Sequence, residues 1–281
     1  MDTTFLITGA TGNIGSAVLD HLNADASPRI VKATHHENTV NEAERWLDFE
    51  RPESFGAALH QIDVVFLLRP PQLADVKKYF APFMEACQQA RIKRIVFLSV
   101  QGAEATSFIP HAKIEKLIRQ SGIGYTFVRP SYFMQNLTTT LKDDIVRHHR
   151  LFLPAGEAPF LWVDVADIGR AIAVVLTNWE QHKNQAYTIT GSELITFGQV
   201  SSMLSAQIGY SVQYESPNPI RFYLAKRREG VASGLVLVLL LLHFLPRFQK
   251  PPLISPDFTR LTGCQPNTLA KFIDQHKSDW A

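Results

Sequence analysis

A glycine-rich turn near the start of the chain has the residue types and the spacing that suit a bound phosphate group. The glycines follow the apolar run Phe5-Leu6-Ile7 and precede a helical pattern that extends to Leu22. The first glycine permits a sharp turn, the second lets backbone N–H groups approach a pyrophosphate, and the third lets a helix pack closely on a strand. The N-terminus of that helix then faces the phosphates. The turn predicts a dinucleotide site, although a glycine turn between strand and helix also has a purely structural use; the predicted site residues are Gly9, Thr11, Gly12, Asn13, Ile14 and Gly15.

Apolar runs typical of strands alternate with helical patterns through the first two thirds of the chain. Such alternation indicates a parallel sheet, and right-handed crossovers then give an α/β fold with a Rossmann-type doubly wound parallel sheet. The predicted strands are Thr4–Thr8, Arg29–Thr34, Trp46–Phe49, Asp63–Leu68, Arg94–Ser99, Tyr125–Arg129 and Ala186–Thr190. The predicted helices are Ile14–Leu22, Pro52–Leu59, Val76–Ala90, Pro110–Gln120 and Asp167–Thr177.

Ligands of doubly wound sheets bind at the carboxyl ends of the strands. This rule selects six loops as the places where functional side chains are expected. They are Gly9–Gly15, His35–His36, Asp48–Phe49, Leu68–Pro71, Ser99–Gly102 and Arg129–Asn136.

The alternation of strands and helices weakens after residue 190, where helical patterns and two proline-rich breaks follow. We expect a dinucleotide-binding domain over residues 1–190, in which the segment 131–163 contributes to a substrate cleft. Residues 191–281 are expected to form a smaller, mostly helical C-terminal substrate lobe. No internal repeat or low-complexity tract separates the two.

The composition favours small-molecule chemistry. A net charge of only +2 does not favour nucleic acid as a partner. The two cysteines, Cys87 and Cys264, are too few for a disulfide framework or a thiolate metal site, and adjacent histidines without a clear third ligand do not favour a metal either. Because Met1-Asp2-Thr3-Thr4 leads directly into a strand, we expect no signal peptide and a cytoplasmic location.

A leucine-rich run over 231–245 carries no charged residue and has basic neighbours, Lys226-Arg227-Arg228 before it and Arg247 after it. Fifteen residues of helix reach about 22 Å, which is shorter than a hydrocarbon core of about 30 Å, so we expect no transmembrane span. A buried helix, a pocket wall, or an interface with a second copy or a protein partner through 235–245 is favoured. The basic flanks keep shallow membrane attachment as an alternative.

Taken in order, these segments resemble the NmrA-like branch of the atypical short-chain dehydrogenase/reductase family. The resemblance implies a Rossmann fold that binds NADP or NAD, in a family of quinone, azo-dye and other xenobiotic reductases and of nucleotide-sensing regulators. The segments that carry it are Thr8-Gly-Ala-Thr-Gly-Asn-Ile-Gly15, Asp48-Phe49 with Pro52-Glu-Ser-Phe55, Val64-Val-Phe-Leu-Leu-Arg-Pro-Pro71, Arg94-Ile-Val-Phe-Leu-Ser99, His111-Ala-Lys-Ile-Glu115, Tyr125-Thr-Phe-Val-Arg-Pro-Ser-Tyr-Phe-Met-Gln-Asn136, Val163-Asp-Val-Ala-Asp167, and Leu261-Thr-Gly263 through Trp280.

The choice between NADP and NAD depends on the end of the second strand, where a cation would hold a 2′-phosphate and an acidic residue would bind a ribose hydroxyl. This chain has His35 and His36 there, where NADP-preferring relatives tend to carry arginine. We expect NADP(H) to be favoured over NAD(H), with Arg69 at the end of the Leu68 strand as a further cation. Asp48 and Phe49 resemble the family pair that contacts adenine, although an aspartate at a strand end also caps turns.

Ordinary short-chain dehydrogenases place a tyrosine and a lysine four residues apart on a helix, and this chain lacks that pair. Matching Glu115 to the glutamate that often follows that lysine puts His111 at the lysine position and Ser107 at the tyrosine position. His111 would then bind the nicotinamide ribose and act as an acid, or it merely begins a helix and orients the cofactor. Ser99 would donate a hydrogen bond to substrate, or it is a turn residue. Pro130 and Phe133 resemble the segment near the nicotinamide.

The favoured function is an NAD(P)H-dependent oxidoreductase that reduces a small planar acceptor, such as a quinone or an azo compound. Hydride transfer to such acceptors needs positioning, a dry cleft and a proton that water can provide, so the missing tyrosine does not forbid it. Tyr132, Phe133, Phe160 and Trp162 would build the apolar pocket, or they are simply core. The alternative function is a non-catalytic NAD(P)-sensing regulator.

Overall fold

The computed structural model describes residues 3–22, 29–37 and 43–281, and it divides the chain into two compact units. Unit 1 comprises Met1–Ser131, Val165–Ile189 and Ser255–Gln265. Unit 2 comprises Tyr132–Asp164, Thr190–Ile254 and Pro266–Ala281. The segment expected to contribute to the substrate cleft therefore belongs to unit 2 almost entirely, and a short stretch of the expected C-terminal lobe belongs to unit 1.

Unit 1 is built on a seven-stranded parallel sheet, which confirms the predicted doubly wound architecture. The order of its strands is β10-β6-β5-β4-β1-β2-β3, so the chain moves outward on both sides of β1 and β4. Unit 2 contains a three-stranded sheet, β11-β9-β7, and the pair β12-β8. The strands are β1 (Thr4–Ile7), β2 (Arg29–Thr34), β3 (Glu44–Trp46), β4 (Val64–Leu68), β5 (Arg94–Leu98), β6 (Gly124–Pro130), β7 (Tyr132–Phe133), β8 (Arg150–Phe152), β9 (Pro159–Val163), β10 (Gln185–Ile189), β11 (Leu194–Thr196) and β12 (Gln213–Glu215).

The helices follow the predicted positions closely in unit 1 and make up most of the regular secondary structure of unit 2. Short 3₁₀ segments connect several of them. The α-helices are α1 (Asn13–Leu22), α2 (Phe55–Leu59), α3 (Val76–Gln89), α4 (Pro110–Gln120), α5 (Lys142–His148), α6 (Val165–Thr177), α7 (Phe197–Ile208), α8 (Pro219–Arg228), α9 (Ser233–Phe244), α10 (Asp257–Thr262) and α11 (Leu269–His276). Among the described residues, no helix combines the length and the apolar content that crossing a membrane requires.

The core of unit 1 explains why its strands are nearly continuous apolar runs. All four residues of β1 and all five of β5 are buried, as expected for parallel strands that are covered by helices on both faces. One predicted strand is wrong in its bounds: β3 ends at Trp46 instead of extending to Phe49. Phe49 is buried because its ring packs against Phe80 and Phe83, with centroid distances of 5.0 and 5.1 Å.

Unit 2 has a separate aromatic core. Trp162 and Trp280 are fully buried there, and each indole N–H donates to a backbone carbonyl, at 3.0 Å to Ile195 and 2.9 Å to Leu137. Each indole therefore fills core volume without leaving a buried donor unpaired.

Candidate functional site

The glycine turn is held in place by Thr8, the residue that follows β1. Its backbone N–H and its hydroxyl both donate to the carbonyl of Phe66, at 3.1 and 3.0 Å, and its hydroxyl accepts from the N–H of Leu68 at 2.8 Å. Thr8 thereby joins the carboxyl ends of β1 and β4. Thr8 is not among the site residues predicted from the sequence. Its position directly before the first glycine, at the end of an apolar strand, could have indicated its role.

The turn has a shape that glycine alone satisfies at two positions. Gly9 has φ of +65°, in the left-handed region that favours glycine. A Cβ at Gly15 would lie 2.1 Å from the carbonyl oxygen of Gly9 and 2.7 Å from the Cα of Ala10. The turn is closed by a hydrogen bond from the N–H of Gly12 to Gly9 at 3.0 Å, and Thr11, Gly12 and Asn13 are exposed at the start of α1. This cradle fits a pyrophosphate at the helix N-terminus.

The loops after β2 and β3 provide fewer available groups than the sequence predicts. His35 and His36 are exposed, and the backbone N–H of His36 donates to the Thr34 hydroxyl at 3.3 Å. Asp48 accepts from the N–H of Glu50 at 2.9 Å, so its carboxylate caps a turn, as the simpler interpretation of that residue anticipated. Phe49 is only 4% exposed, so it offers little surface to a ligand.

Arg69 lies just beyond the carboxyl end of β4, and its guanidinium is fixed by backbone carbonyls. Its Nη1 donates to the carbonyls of Pro70 and Pro71 at 2.9 Å each and of Leu73 at 3.2 Å, and its Nε is buried without a partner. Burial lowers the pKa of Arg69. Since β4 and β2 lie on opposite sides of β1, Arg69 is about 10 Å of sheet away from the strand that carries His36.

A buried charged network lies at the carboxyl ends of β5 and β6. The Glu115 carboxylate accepts from the Ser99 hydroxyl at 2.6 Å and from the Nε and Nη2 of Arg129 at 2.9 and 2.7 Å. All three residues are buried, and the bidentate geometry is the strong form of this ion pair. Arg129 also contacts the exposed Glu104 at 3.0 Å. Burial alone would lower the pKa of Arg129, but the hydrogen bond and charge of Glu115 outweigh it and raise that pKa.

This network gives Ser99 a structural contact. Its hydroxyl donates to Glu115, and this hydrogen bond holds helix α4 to the end of strand β5. The role of Arg129 was not recognised in the sequence. The available signal was a charged residue inside an otherwise apolar strand, because a buried charge requires a partner.

His111 lies in the first turn of α4, one turn before Glu115. Burial, and then the positive charge of Arg69, lower the pKa of the His111 imidazole to about 4, against a smaller opposing effect of Glu115. The imidazole is therefore neutral at pH 7. The charge of Arg69 therefore affects His111 at the carboxyl edge of the sheet, and Arg69 does not lie beside His36.

The remaining predicted residues divide between the two units. Pro130 ends β6 in unit 1 and is buried, and its carbonyl accepts from the N–H of Gln101 at 3.0 Å. Phe133 is in β7 of unit 2 and is partly buried. The other aromatic residues expected to line a pocket are core: Phe160 is 6% and Trp162 1% exposed, and both contact the ring of Tyr132.

Comparison with other proteins finds two reductases among the relatives of this chain. The chain is 28% identical over 280 residues to the NAD(P)H azoreductase of Xenophilus azovorans, which covers 96% of this chain and 97% of the relative. It is 30% identical over 217 residues to the (4-alkanoyl-5-oxo-2,5-dihydrofuran-3-yl)methyl phosphate reductase of Streptomyces griseus, which covers 75% of this chain and 76% of the relative.

Solved structures share the fold. The NADPH-dependent quinone oxidoreductase QOR2 of Escherichia coli, solved with NADPH, superimposes with a TM-score of 0.84 at 22% identity, covering 96% of this chain and 99% of that chain. The model of the NmrA-like family matches residues 1–223, well over half of the sequence. With the glycine turn, the parallel sheet and these relatives in agreement, the chain belongs to the NmrA-like family.

Proposed function

We propose that this protein is an NAD(P)H-dependent reductase of small planar acceptors such as quinones or azo compounds. The single observation that carries the proposal is the turn Gly9–Gly15, whose conformation only glycine satisfies and which leaves the start of α1 exposed. The azoreductase relative supports the reaction class. The chemistry supplied by a nicotinamide cofactor is hydride donation, which with a proton accomplishes a two-electron reduction.

The residues of unit 1 have separable roles in this proposal. The backbone of Gly12 and Asn13 would bind the pyrophosphate at the start of α1. His111 would donate a hydrogen bond to the ribose as a neutral imidazole. A pKa of about 4 leaves almost no imidazolium at neutral pH, so the proton for the acceptor is assigned to water rather than to His111. Glu115, which binds Ser99 and Arg129, would act by fixing α4.

We propose further that NADP(H) is favoured over NAD(H), with His35 and His36 at the 2′-phosphate. The position of these exposed residues after β2 supports this assignment. The double variant His35→Ala/His36→Ala should then lose the preference for NADPH over NADH while retaining NADH binding.

The decisive experiment has two parts. The purified protein is titrated with NADP, NADPH, NAD and NADH, and NADPH oxidation is then followed with a panel of quinones and azo dyes. The proposal predicts preference for NADPH and acceptor-dependent oxidation above the rate without protein. Binding of NADPH without oxidation by any acceptor in the panel would overturn the reductase proposal.

A second candidate is a regulator that binds the dinucleotide and signals through partners. One observation favours it: Ser107 and His111 occupy the positions of the family's tyrosine and lysine, and His111 is held neutral. This candidate predicts that oxidised and reduced nucleotides bind equally or that the oxidised form binds more tightly. The same four titrations therefore distinguish the two functions.

A further inference from the structure

Unit 2 exposes an unusually apolar surface on helices α8 and α9 and on the segment that follows them. In the part of the chain that the structure describes, eleven of the thirteen exposed large hydrophobic side chains lie between residues 220 and 254. We call this surface the α8–α9 face. Its exposed apolar residues are Ile220, Leu224, Leu235, Leu237, Val238, Leu241, Leu242, Leu245, Phe248, Leu253 and Ile254.

Helix α9 is attached to unit 2 along one side. Val236 and His243, seven residues apart, are its buried residues, and Leu239 and Leu240 are partly buried against the core. His243 is fixed by two hydrogen bonds, from its Nδ1 to the carbonyl of Leu239 at 2.7 Å and between its Nε2 and the Tyr132 hydroxyl at 2.9 Å. The exposed leucine and valine side chains lie on the rest of the helix, whereas a surface helix of a globular protein normally turns polar residues outward.

The same surface is strongly basic. The segment 219–256 contains six lysine and arginine residues and one acidic residue, Glu229, a net charge of +5 in a chain whose total is +2. The remaining chain is therefore acidic overall. Lys226 is buried and bound to Asp144 and Glu229, but the other five cations are exposed. Those exposed cations are Arg221, Arg227, Arg228, Arg247 and Lys250.

A cavity of about 450 Å³ opens on α8 within this face. Three arginines line it, Arg150, Arg221 and Arg228, together with apolar groups that include Ile220 and Leu224. Arg150 and Arg221 share Glu215, at 3.5 and 3.2 Å, and Arg150 also lies 3.6 Å from Asp144 and 4.0 Å from Glu229. Among the described residues, Arg228 is therefore the lining arginine without a carboxylate partner. Guanidinium groups beside leucine and isoleucine side chains suit a phosphate that is joined to a hydrocarbon chain.

We propose that the α8–α9 face docks on the surface of an anionic lipid bilayer. Exposed apolar side chains would enter the boundary between headgroups and acyl chains, while the cations bind anionic headgroups. Helix α9 has twelve residues, or about 18 Å, and therefore lies in the interface instead of crossing it. A second copy of the chain suits this face poorly. In a two-fold dimer the same patch lies on both sides of the interface, so two surfaces that each carry a net charge of +5 would face each other.

The test is sedimentation of the full chain with phosphatidylcholine vesicles that contain or lack phosphatidylglycerol, at low and high salt. We expect binding to the anionic vesicles that weakens with salt. Arg227→Gln/Arg228→Gln should weaken that binding about 30-fold, which is roughly fivefold for each cation. Leu237→Glu/Leu241→Glu should abolish binding at both salt concentrations, because it removes the apolar contribution.

Matched controls use similar changes outside the face. Leu194→Glu alters another exposed leucine, and Lys77→Gln/Lys183→Gln removes two exposed lysines of unit 1, and both should bind vesicles as the parent protein does. Circular dichroism verifies that every variant is folded, and the arginine variant keeps the test decisive if the glutamate variant unfolds. Absence of parent-protein binding to anionic vesicles would overturn the proposal. So would a dimer, seen by light scattering, that Leu237→Glu/Leu241→Glu dissociates while vesicles are not bound.

Discussion

Replacing Gly15 by alanine should damage both the fold and the nucleotide site. The new Cβ would lie 2.1 Å from the Gly9 carbonyl oxygen and 2.7 Å from the Ala10 Cα, and real Cβ contacts are essentially never below 3.0 Å. Both neighbours are backbone, so the turn has to retreat by about 1 Å, and overpacking of this kind costs about 1–3 kcal/mol of unfolding free energy. A displacement of about 1 Å at a positioned ligand weakens function by about 100-fold.

Two other glycines provide matched comparisons. At Gly12 the nearest atom to an added Cβ is the Gly9 carbonyl oxygen at 3.5 Å, an ordinary contact, and at Gly56 no atom lies within 4 Å. We expect Gly12→Ala to leave the melting temperature nearly unchanged but to weaken NADPH binding at least about tenfold, because the pyrophosphate needs that approach. Gly56→Ala, within a helix, should stabilise by about 0.5–1 kcal/mol and bind normally.

The assays are thermal denaturation by circular dichroism and NADPH titration by nucleotide fluorescence, for all three variants. If Gly15→Ala melts and binds like the parent protein, the steric argument is refuted. If Gly12→Ala binds NADPH normally, the glycine turn serves the fold alone and the nucleotide lies elsewhere. Only the combination of a stable Gly12→Ala and an impaired Gly15→Ala fits a turn that is both packed and bound to phosphate.

Three further predictions concern the buried titratable groups. Glu115→Gln removes the buried carboxylate that pairs with Arg129 and should lower the unfolding free energy, measured by thermal denaturation, by about 3–5 kcal/mol. Glu104→Gln removes an exposed carboxylate and should lower it by less than about 1 kcal/mol. Equal losses in the two variants would contradict the argument. Burial lowers the pKa of His243 from 6.5 to about 4, so stability should fall as the pH drops through that window, by up to about 3 kcal/mol. His243→Gln should remove this part of the fall and leave the part that His111 contributes in the same window. His111→Gln should weaken NADPH binding by a similar factor from about pH 6 to 8, since the imidazole stays neutral; a loss that follows a titration near 6.5 would assign it a charged role.

The parallel sheet could be predicted from the sequence because burial on both faces turns its strands into uninterrupted apolar runs. β4 and β5 end within one residue of their predicted ends for that reason. β3 was misplaced because hydropathy does not distinguish a strand from a buried loop. Glu44 begins the strand, although it is charged, because its backbone pairs with Lys32, whereas the apolar Phe49 is buried from a loop.

The candidate site also has parts that could be predicted from the sequence and parts that could not. The roles of Gly9 and Gly15 could be predicted because each glycine meets a steric requirement that neighbouring residues of the turn impose. The partners of Glu115 could not, because Ser99 and Arg129 lie 16 and 14 residues away and meet it only when two strands and a helix pack together. The exposure of the leucine-rich helix was equally hidden, since an apolar sequence alone does not show which side of α9 finds a core.

The buried network also bears on the proposed role of His111. Glu115 anchors the helix to β5 and β6 through one hydroxyl and one guanidinium, both buried. His111, one turn away, is then held in position while burial and Arg69 keep it uncharged. In the proposed function, this arrangement orients the nicotinamide ribose and leaves the protonation of the acceptor to water.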